Sequence, residues 1–237
     1  MLKNNSLTAF AALLAVGLVG CGGGGGSAPV ATPSSVNIAT TFPLFAAYKN
    51  RINSGASDNF SVSGTCAGSA SITTAAAATA NFEGVAGFGA GTTISITFTN
   101  CTPASNVSTS TTYYDSSYAP LGSVTPNTEY ARYQALPSPI PVNVKSGDTA
   151  ILATLDTYTS SSKTTKTGQR VVSYLVEPDS TSSVFVIVIA KSFNTSNQLL
   201  FTQQTKYRLT GGGVLTVVGI DVQYSTTSDN RLIYTKI

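Results

Sequence analysis

From Ala150 onward the chain reads as six extended segments parted by short polar stretches, and that rhythm limits the folds open to it. The segments are Ala150–Tyr158, Arg170–Glu177, Ser183–Lys191, Gln198–Leu209, Val214–Tyr224 and Arg231–Ile237. Between them lie Ser160 to Gly168, Pro178-Asp179-Ser180, Asn194 to Asn197, Gly211 to Gly213 and Ser225 to Asn230. Connections this short join antiparallel neighbours, because a parallel crossover needs a dozen residues or more. Val184 to Ala190 is apolar throughout, as in a strand that lies mid-sheet or is covered on both faces. Leu199, Phe201, Tyr207 and Leu209 alternate with polar residues, as do Val214, Val218, Ile220, Val222 and Tyr224. Asp221 falls opposite to that second face, which directs it to solvent or to a partner such as Arg208 or Arg170.

The same period of two holds earlier. Phe60 and Val62 alternate with Ser61 and Ser63, and Ile94, Ile96 and Phe98 with Ser95, Thr97 and Thr99. Ala67 to Gly91 reads as strands and turns, with Gly87-Phe88-Gly89-Ala90-Gly91 as a turn. That glycine run lacks the Lys-Ser/Thr of a phosphate-binding loop, and no helix follows it. Thr102 to Pro141, rich in proline, reads as irregular. One helix is expected, Thr41 to Ile52, with Leu44, Tyr48 and Ile52 on one stripe, Thr41 as its cap and Gly55 at its end. The fold class is therefore mainly β: an antiparallel meander, as a sandwich or a curved, barrel-like sheet, with one short N-terminal helix. Charged residues are only 10% of the chain against the usual ~25%, and Ser, Thr, Asn and Gly take their place.

Residues 1–20 have the layout of a secretory signal: Lys3, an apolar run from Leu7 to Val19, then small residues before Cys21. The run is shorter than the roughly 20 residues of a bilayer-spanning helix. Leu18-Val19-Gly20-Cys21 resembles the lipobox of bacterial lipoproteins. The resemblance implies that Cys21 becomes the first mature residue and carries a diacylglycerol thioether. It also implies the outer membrane, periplasmic side, since Gly22 rather than Asp follows; display on the cell surface is the alternative. Residues 21–40 then read as a Gly/Ser/Pro tether, 41–125 as the helix with a disulfide-linked β region, and 126–237 as the meander, in one domain or two.

Cys66 and Cys101 remain as an even pair about 35 residues apart, and a disulfide is the expectation in an oxidising compartment. A redox pair is the alternative, although its usual Cys-x-x-Cys spacing is missing. The segments around Ser63-Gly64-Thr65-Cys66, Phe82-Glu83-Gly84, Phe98-Thr99-Asn100-Cys101 and Tyr113-Tyr114-Asp115 look like those of glycine-rich Gram-negative lipoproteins with no assigned activity. That resemblance carries over no catalytic residue.

The sequence has no histidine, which removes histidine-based triads and histidine metal sites. No metal, cofactor or catalytic residue is assigned. Net charge is +3 with no dense basic patch, so no nucleic-acid partner is expected. The expected partners are the membrane, through the lipid, and an envelope protein or glycan. Tyr113, Tyr114 and Tyr118 are the candidate binding surface, with loop packing as the plainer reading. The functional expectation is a non-enzymatic structural or binding module. The alternatives are a glycan hydrolase using two of the ten carboxylates, and a lipid or lipoprotein carrier with an apolar cavity.

Overall fold

The structure, a computed structural model, describes residues 41–135, 137–225 and 230–237. Cys21, its lipobox and the tether lie outside the described residues, as does Asp229. One helix, α1 (Leu44–Ser54), precedes β1 (Ala56–Gly64), β2 (Gly68–Thr74), β3 (Ala78–Phe82), β4 (Val85–Phe98), β5 (Ser105–Asp115), β6 (Pro120–Thr125) and β7 (Glu129–Tyr133). Then follow β8 (Thr149–Tyr158), β9 (Lys166–Pro178), β10 (Ser183–Asn194), β11 (Leu199–Thr210), β12 (Leu215–Tyr224) and β13 (Arg231–Lys236). All pairings are antiparallel. Neighbours in sequence pair from β3 through β13, β13 pairs with β1, and β2 bridges β1 and β4. The ring therefore closes into a barrel of 12 strands, with β3 as an extra strand beyond β2 on the long β4. Residues 41–125 and 126–237 share this single sheet.

Alternation decides which side chains enter the barrel. Phe60, Val62, Ile94, Ile96 and Phe98 are buried inside, while Ser61, Ser63, Thr93 and Thr97 are exposed outside. A membrane-spanning barrel has the opposite polarity, with an apolar band facing lipid. No described helix is long and apolar enough to cross a membrane. β10 lies mid-sheet between β9 and β11, and its outward Phe185 is covered by Lys206, whose Nζ sits 3.9 Å from the ring centroid.

Eight strands already give an interior just wide enough for side chains to fill, and the diameter grows with strand number. Twelve strands leave a lumen that needs further filling. α1 supplies it at one end. Leu44 and Ala47 pack with inward-facing Val172, Tyr174, Val186 and Leu209, and Ile52 packs with Ala90 and Tyr114.

Several expectations are corrected. Thr41 does not cap α1; Pro43 occupies the cap position with no side-chain hydrogen bond. Loop carbonyls do that work instead: Leu44 N donates to Phe42 O at 2.9 Å and Phe45 N to Val142 O at 3.3 Å. Gly55 does end the helix, at φ 66°, where a Cβ would come within 2.6 Å of Thr74 O. The segment 102–141 is not irregular, for it contributes β5, β6 and β7. Gly87–Gly91 is no turn but part of the first half of β4, where a Cβ on Gly87 would come within 2.0 Å of Tyr114 O on β5. In β12, Lys206 and Tyr207 pair with Gly219 and Val217, skipping Val218. The bulge turns Val217 inward, and Val214 is left exposed in the preceding turn. Asp221 pairs with Arg231, while Arg208 pairs with Asp179 and Arg170 with Glu129.

Candidate functional site: a cavity in the barrel lumen

Between α1 and the barrel wall lies a cavity of about 180 Å3. Its wall is mostly apolar: Leu44 and Ile52 from α1, Ile94 from β4, Val188 from β10, Val217 and Ile220 from β12. Polar side chains enter it in phase with those apolar ones. Ser110 and Thr112 precede Tyr114 on β5, and Gln203 and Thr205 precede Tyr207 on β11. Gln203 Nε2 donates to Thr205 Oγ1 at 3.3 Å.

Tyrosines gather at the helix. Tyr48 of α1 meets Tyr114 edge to face, with ring centroids 6.3 Å apart. Burial pushes the Tyr48 phenol well above its usual pKa, and the nearby Tyr114, Tyr133 and Tyr207 raise it further. Burial likewise pushes Tyr114 up to about 12. These phenols therefore remain protonated donors at any physiological pH. The Tyr48 hydroxyl faces that of Tyr114, yet it is shielded from solvent and makes no hydrogen bond of normal geometry among the described residues.

One carboxylate lines the cavity, Asp58 of β1, and it is fully engaged. Arg51 Nη2 of α1 approaches Asp58 Oδ2 at 2.8 Å and Lys236 Nζ of β13 approaches Oδ1 at 2.5 Å. Burial alone would raise the Asp58 pKa, but the hydrogen bonds from Lys236 and Arg51 outweigh it and hold the carboxyl below the usual range. The arrangement locks the helix C-terminal turn to both strands where the barrel closes.

A second hollow, of about 280 Å3, lies under the β3–β4 hairpin and is lined by Phe82, Glu83, Leu121, Arg132, Tyr133 and Pro137 among others. Glu83 accepts hydrogen bonds from Lys163 Nζ at 2.7 Å, from Arg132 Nη1 at 3.2 Å and from the Tyr130 hydroxyl. Lys163 first, then Tyr130, hold its carboxyl below the usual range. Each cavity thus has one carboxylate in its wall, already ion-paired. The two facing carboxylates that a glycosidase needs are not assembled in either, among the described residues. No group of three or more metal-ligating side chains occurs among them.

The tyrosines expected to share a binding surface do not. Successive strand residues face opposite ways, so Tyr113 lies outside, stacked on Phe82 at 4.6 Å, while Tyr114 points into the lumen. Tyr118 is buried in the β5–β6 turn, stacked on Phe88 at 5.0 Å, with its hydroxyl donating to Asn53 Oδ1 of α1 at 3.0 Å. Cys66 and Cys101 are joined by a disulfide, 5.7 Å between Cα atoms. It ties the β1–β2 and β4–β5 connections at the barrel end opposite α1. Tyr48, Asp58 and Tyr207, central to the cavity, had no site role in the sequence reading. Their signal was a polar or amphipathic residue in phase with buried neighbours. In comparisons with known proteins, the chain matches no family model, no curated protein and no solved structure.

Proposed function

We propose that this chain is a lipid-anchored envelope lipoprotein whose barrel is a non-enzymatic binding module, holding a small apolar ligand in the lumen beneath α1. The observation that carries the reading is the cavity of about 180 Å3, apolar in its wall, inside a barrel whose outer face is Ser/Thr-rich. A mostly apolar cavity of that size takes small apolar guests, whereas a barrel evolved only as a scaffold gains stability by filling it. The lipobox-like Leu18-Val19-Gly20-Cys21 and the glycine tether support anchoring through Cys21. Two or more acyl chains hold a protein to a membrane stably where one is marginal. Thr41, the described residue that follows the tether in sequence, lies at the α1 end, which also carries the exposed Val142, Ile151, Val214 and Ile237. That end suits the membrane-facing side, with the disulfide end outward.

The reading is tested by releasing the full lipoprotein from its own membranes in mild detergent and weighing it by native mass spectrometry. A bound small molecule that is lost from an Ala90→Leu variant, which fills the cavity wall, supports the binding module. A wild-type protein that is always empty, and melts no higher with any apolar additive, contradicts it.

A further inference from the structure

The charge beside the lumen does not balance, and the guest it selects rests on the lumen being a binding site. Among the described residues that line the cavity, only Arg51 and Asp58 are charged. Two cations share that one carboxylate: Arg51 Nη2 lies 2.8 Å from Asp58 Oδ2, and Lys236 Nζ lies 2.5 Å from Oδ1. Asp58 is ionised at neutral pH, so the three groups together carry one positive charge. The rest of the wall offers nothing to neutralise it, being apolar side chains, hydroxyls, tyrosines and Gln203.

Arg51 has donors to spare. A guanidinium presents five N–H groups in a planar fork. Nη2 serves Asp58, while Nη1 reaches only the Leu215 carbonyl, at 3.5 Å, beyond the usual N–H···O range. Tyr207, another lining residue, packs its ring 5.6 Å from Arg51 Cζ and helps to hold the fork in place. A fork fixed in this way suits a planar carboxylate. The side chains of Arg51 and Lys236 are still 23% and 33% exposed, so a charged head placed there keeps part of its water. An engineered cavity of about 150 Å3 admits the six carbons of benzene. The present one, at about 180 Å3, therefore has room for an apolar body of about six carbons.

We infer that the lumen binds a small amphiphilic monocarboxylate, its head on the Nη1 side of Arg51 and its apolar body among Ile94, Val188 and Val217.

Three probes with one chain length separate the possibilities: hexanoate, hexan-1-ol and hexylamine. Each is titrated into the full mature protein by calorimetry and saturation-transfer NMR, with empty micelles as the blank. A cavity that selects by apolar volume alone prefers the alcohol, because both ions must shed more water. Here hexanoate is expected to bind about 10-fold more tightly than hexan-1-ol, a ratio set by one charge-assisted hydrogen bond, and hexylamine more weakly than both. Arg51→Gln is expected to bring hexanoate down to the level of the alcohol while leaving the alcohol unchanged. Arg51→Lys, which keeps the charge without the fork, is expected to retain part of the preference. Ala90→Leu and, separately, Val217→Phe are expected to abolish binding of all three, with circular dichroism melts confirming that at least one is folded. Hexan-1-ol or hexylamine binding as tightly as hexanoate overturns the head-group assignment and leaves lumen binding standing, as does a preference unaltered by Arg51→Gln. The wild-type ranking decides by itself if Arg51→Gln does not fold. Failure of all three probes overturns both readings.

Discussion

The ring of Tyr48, on the only described helix, meets the ring of Tyr114, on β5, edge to face inside the barrel at 6.3 Å. Helix and wall are thereby joined by aromatic packing, with the two hydroxyls in contact beside it. Removing the Tyr48 hydroxyl should therefore cost little. Tyr48→Phe is expected to change unfolding free energy by less than about 1 kcal/mol, since it deletes only a poorly aligned contact between two buried hydroxyls. Tyr48→Ala is expected to lose about 3 kcal/mol, as for other large-to-small aromatic changes in cores. Urea denaturation of both variants checks the pair; equal losses would show that the hydroxyl, not the ring, carries the contact.

Asp58 makes the fold sensitive to acid. Its carboxyl is held below the unfolded value by Lys236 and Arg51 despite its burial. The stabilisation is therefore fully present above the unfolded carboxylate pKa of about 3.9 and is lost as pH falls through the lower folded value. Asp58→Ala leaves Arg51 and Lys236 without their shared anion and is expected to cost on the order of 2 kcal/mol, less than a fully buried pair because both cations are partly exposed. Melting curves taken from pH 7 down to pH 3 should show the wild type and Asp58→Ala converging at the acid end. Parallel curves throughout would remove Asp58 from the account.

The Cys66–Cys101 bridge closes a loop with a sequence separation of 35. Loop-entropy arithmetic gives roughly 3–4 kcal/mol for such a closure. The double variant Cys66→Ala/Cys101→Ala should unfold at correspondingly lower denaturant than the oxidised wild type, and the two should approach each other once the wild type is reduced. An oxidised wild type no more stable than its reduced form would leave the bridge without a stabilising role.

Much of this was legible in the sequence because strands announce themselves by period two. The six C-terminal strands appear within a few residues of where alternation and polar separators place them, and Phe60, Val62, Ile94 and Ile96 face inward as their pattern predicts. The misreadings have a common cause, local chemistry overruled by sheet neighbours. Pro120 and the glycines of 87–91 suggest loops when read alone, yet Pro120 opens β6 and the glycines lie within β4, where a Cβ on Gly87 would collide with Tyr114 O of β5. Barrel closure was invisible, since the β1–β13 pairing joins the two ends of the chain. The site was harder still. Gln203 and Thr205 interrupt an apolar phase that runs from Phe201 to Leu209, and Ser110 and Thr112 precede Tyr114 in the same way. Polar residues on an inward phase are the trace a lumen leaves in a sequence. The adjacent pair Tyr113-Tyr114 drew attention by proximity, although alternation alone sets the two on opposite faces.

Anchoring makes its own prediction. Cys21→Ser should move the protein from the membrane fraction to the soluble fraction after the leader is removed, because the outer faces of β1 and β4 carry Ser and Thr where a membrane barrel carries an apolar band. Membrane association that survives the substitution and resists high salt and carbonate would assign the attachment to another part of the chain.

The central claim is that a closed barrel of 12 strands stays hollow beneath its helix. Crystals of the protein held under xenon pressure test it most directly, because xenon settles against the apolar side of cavities of this size. Xenon density among Ile94, Val188, Val217 and Tyr48 is the predicted result. A lumen that takes up no xenon, with α1 and the wall packed into direct contact through that space, would contradict the account.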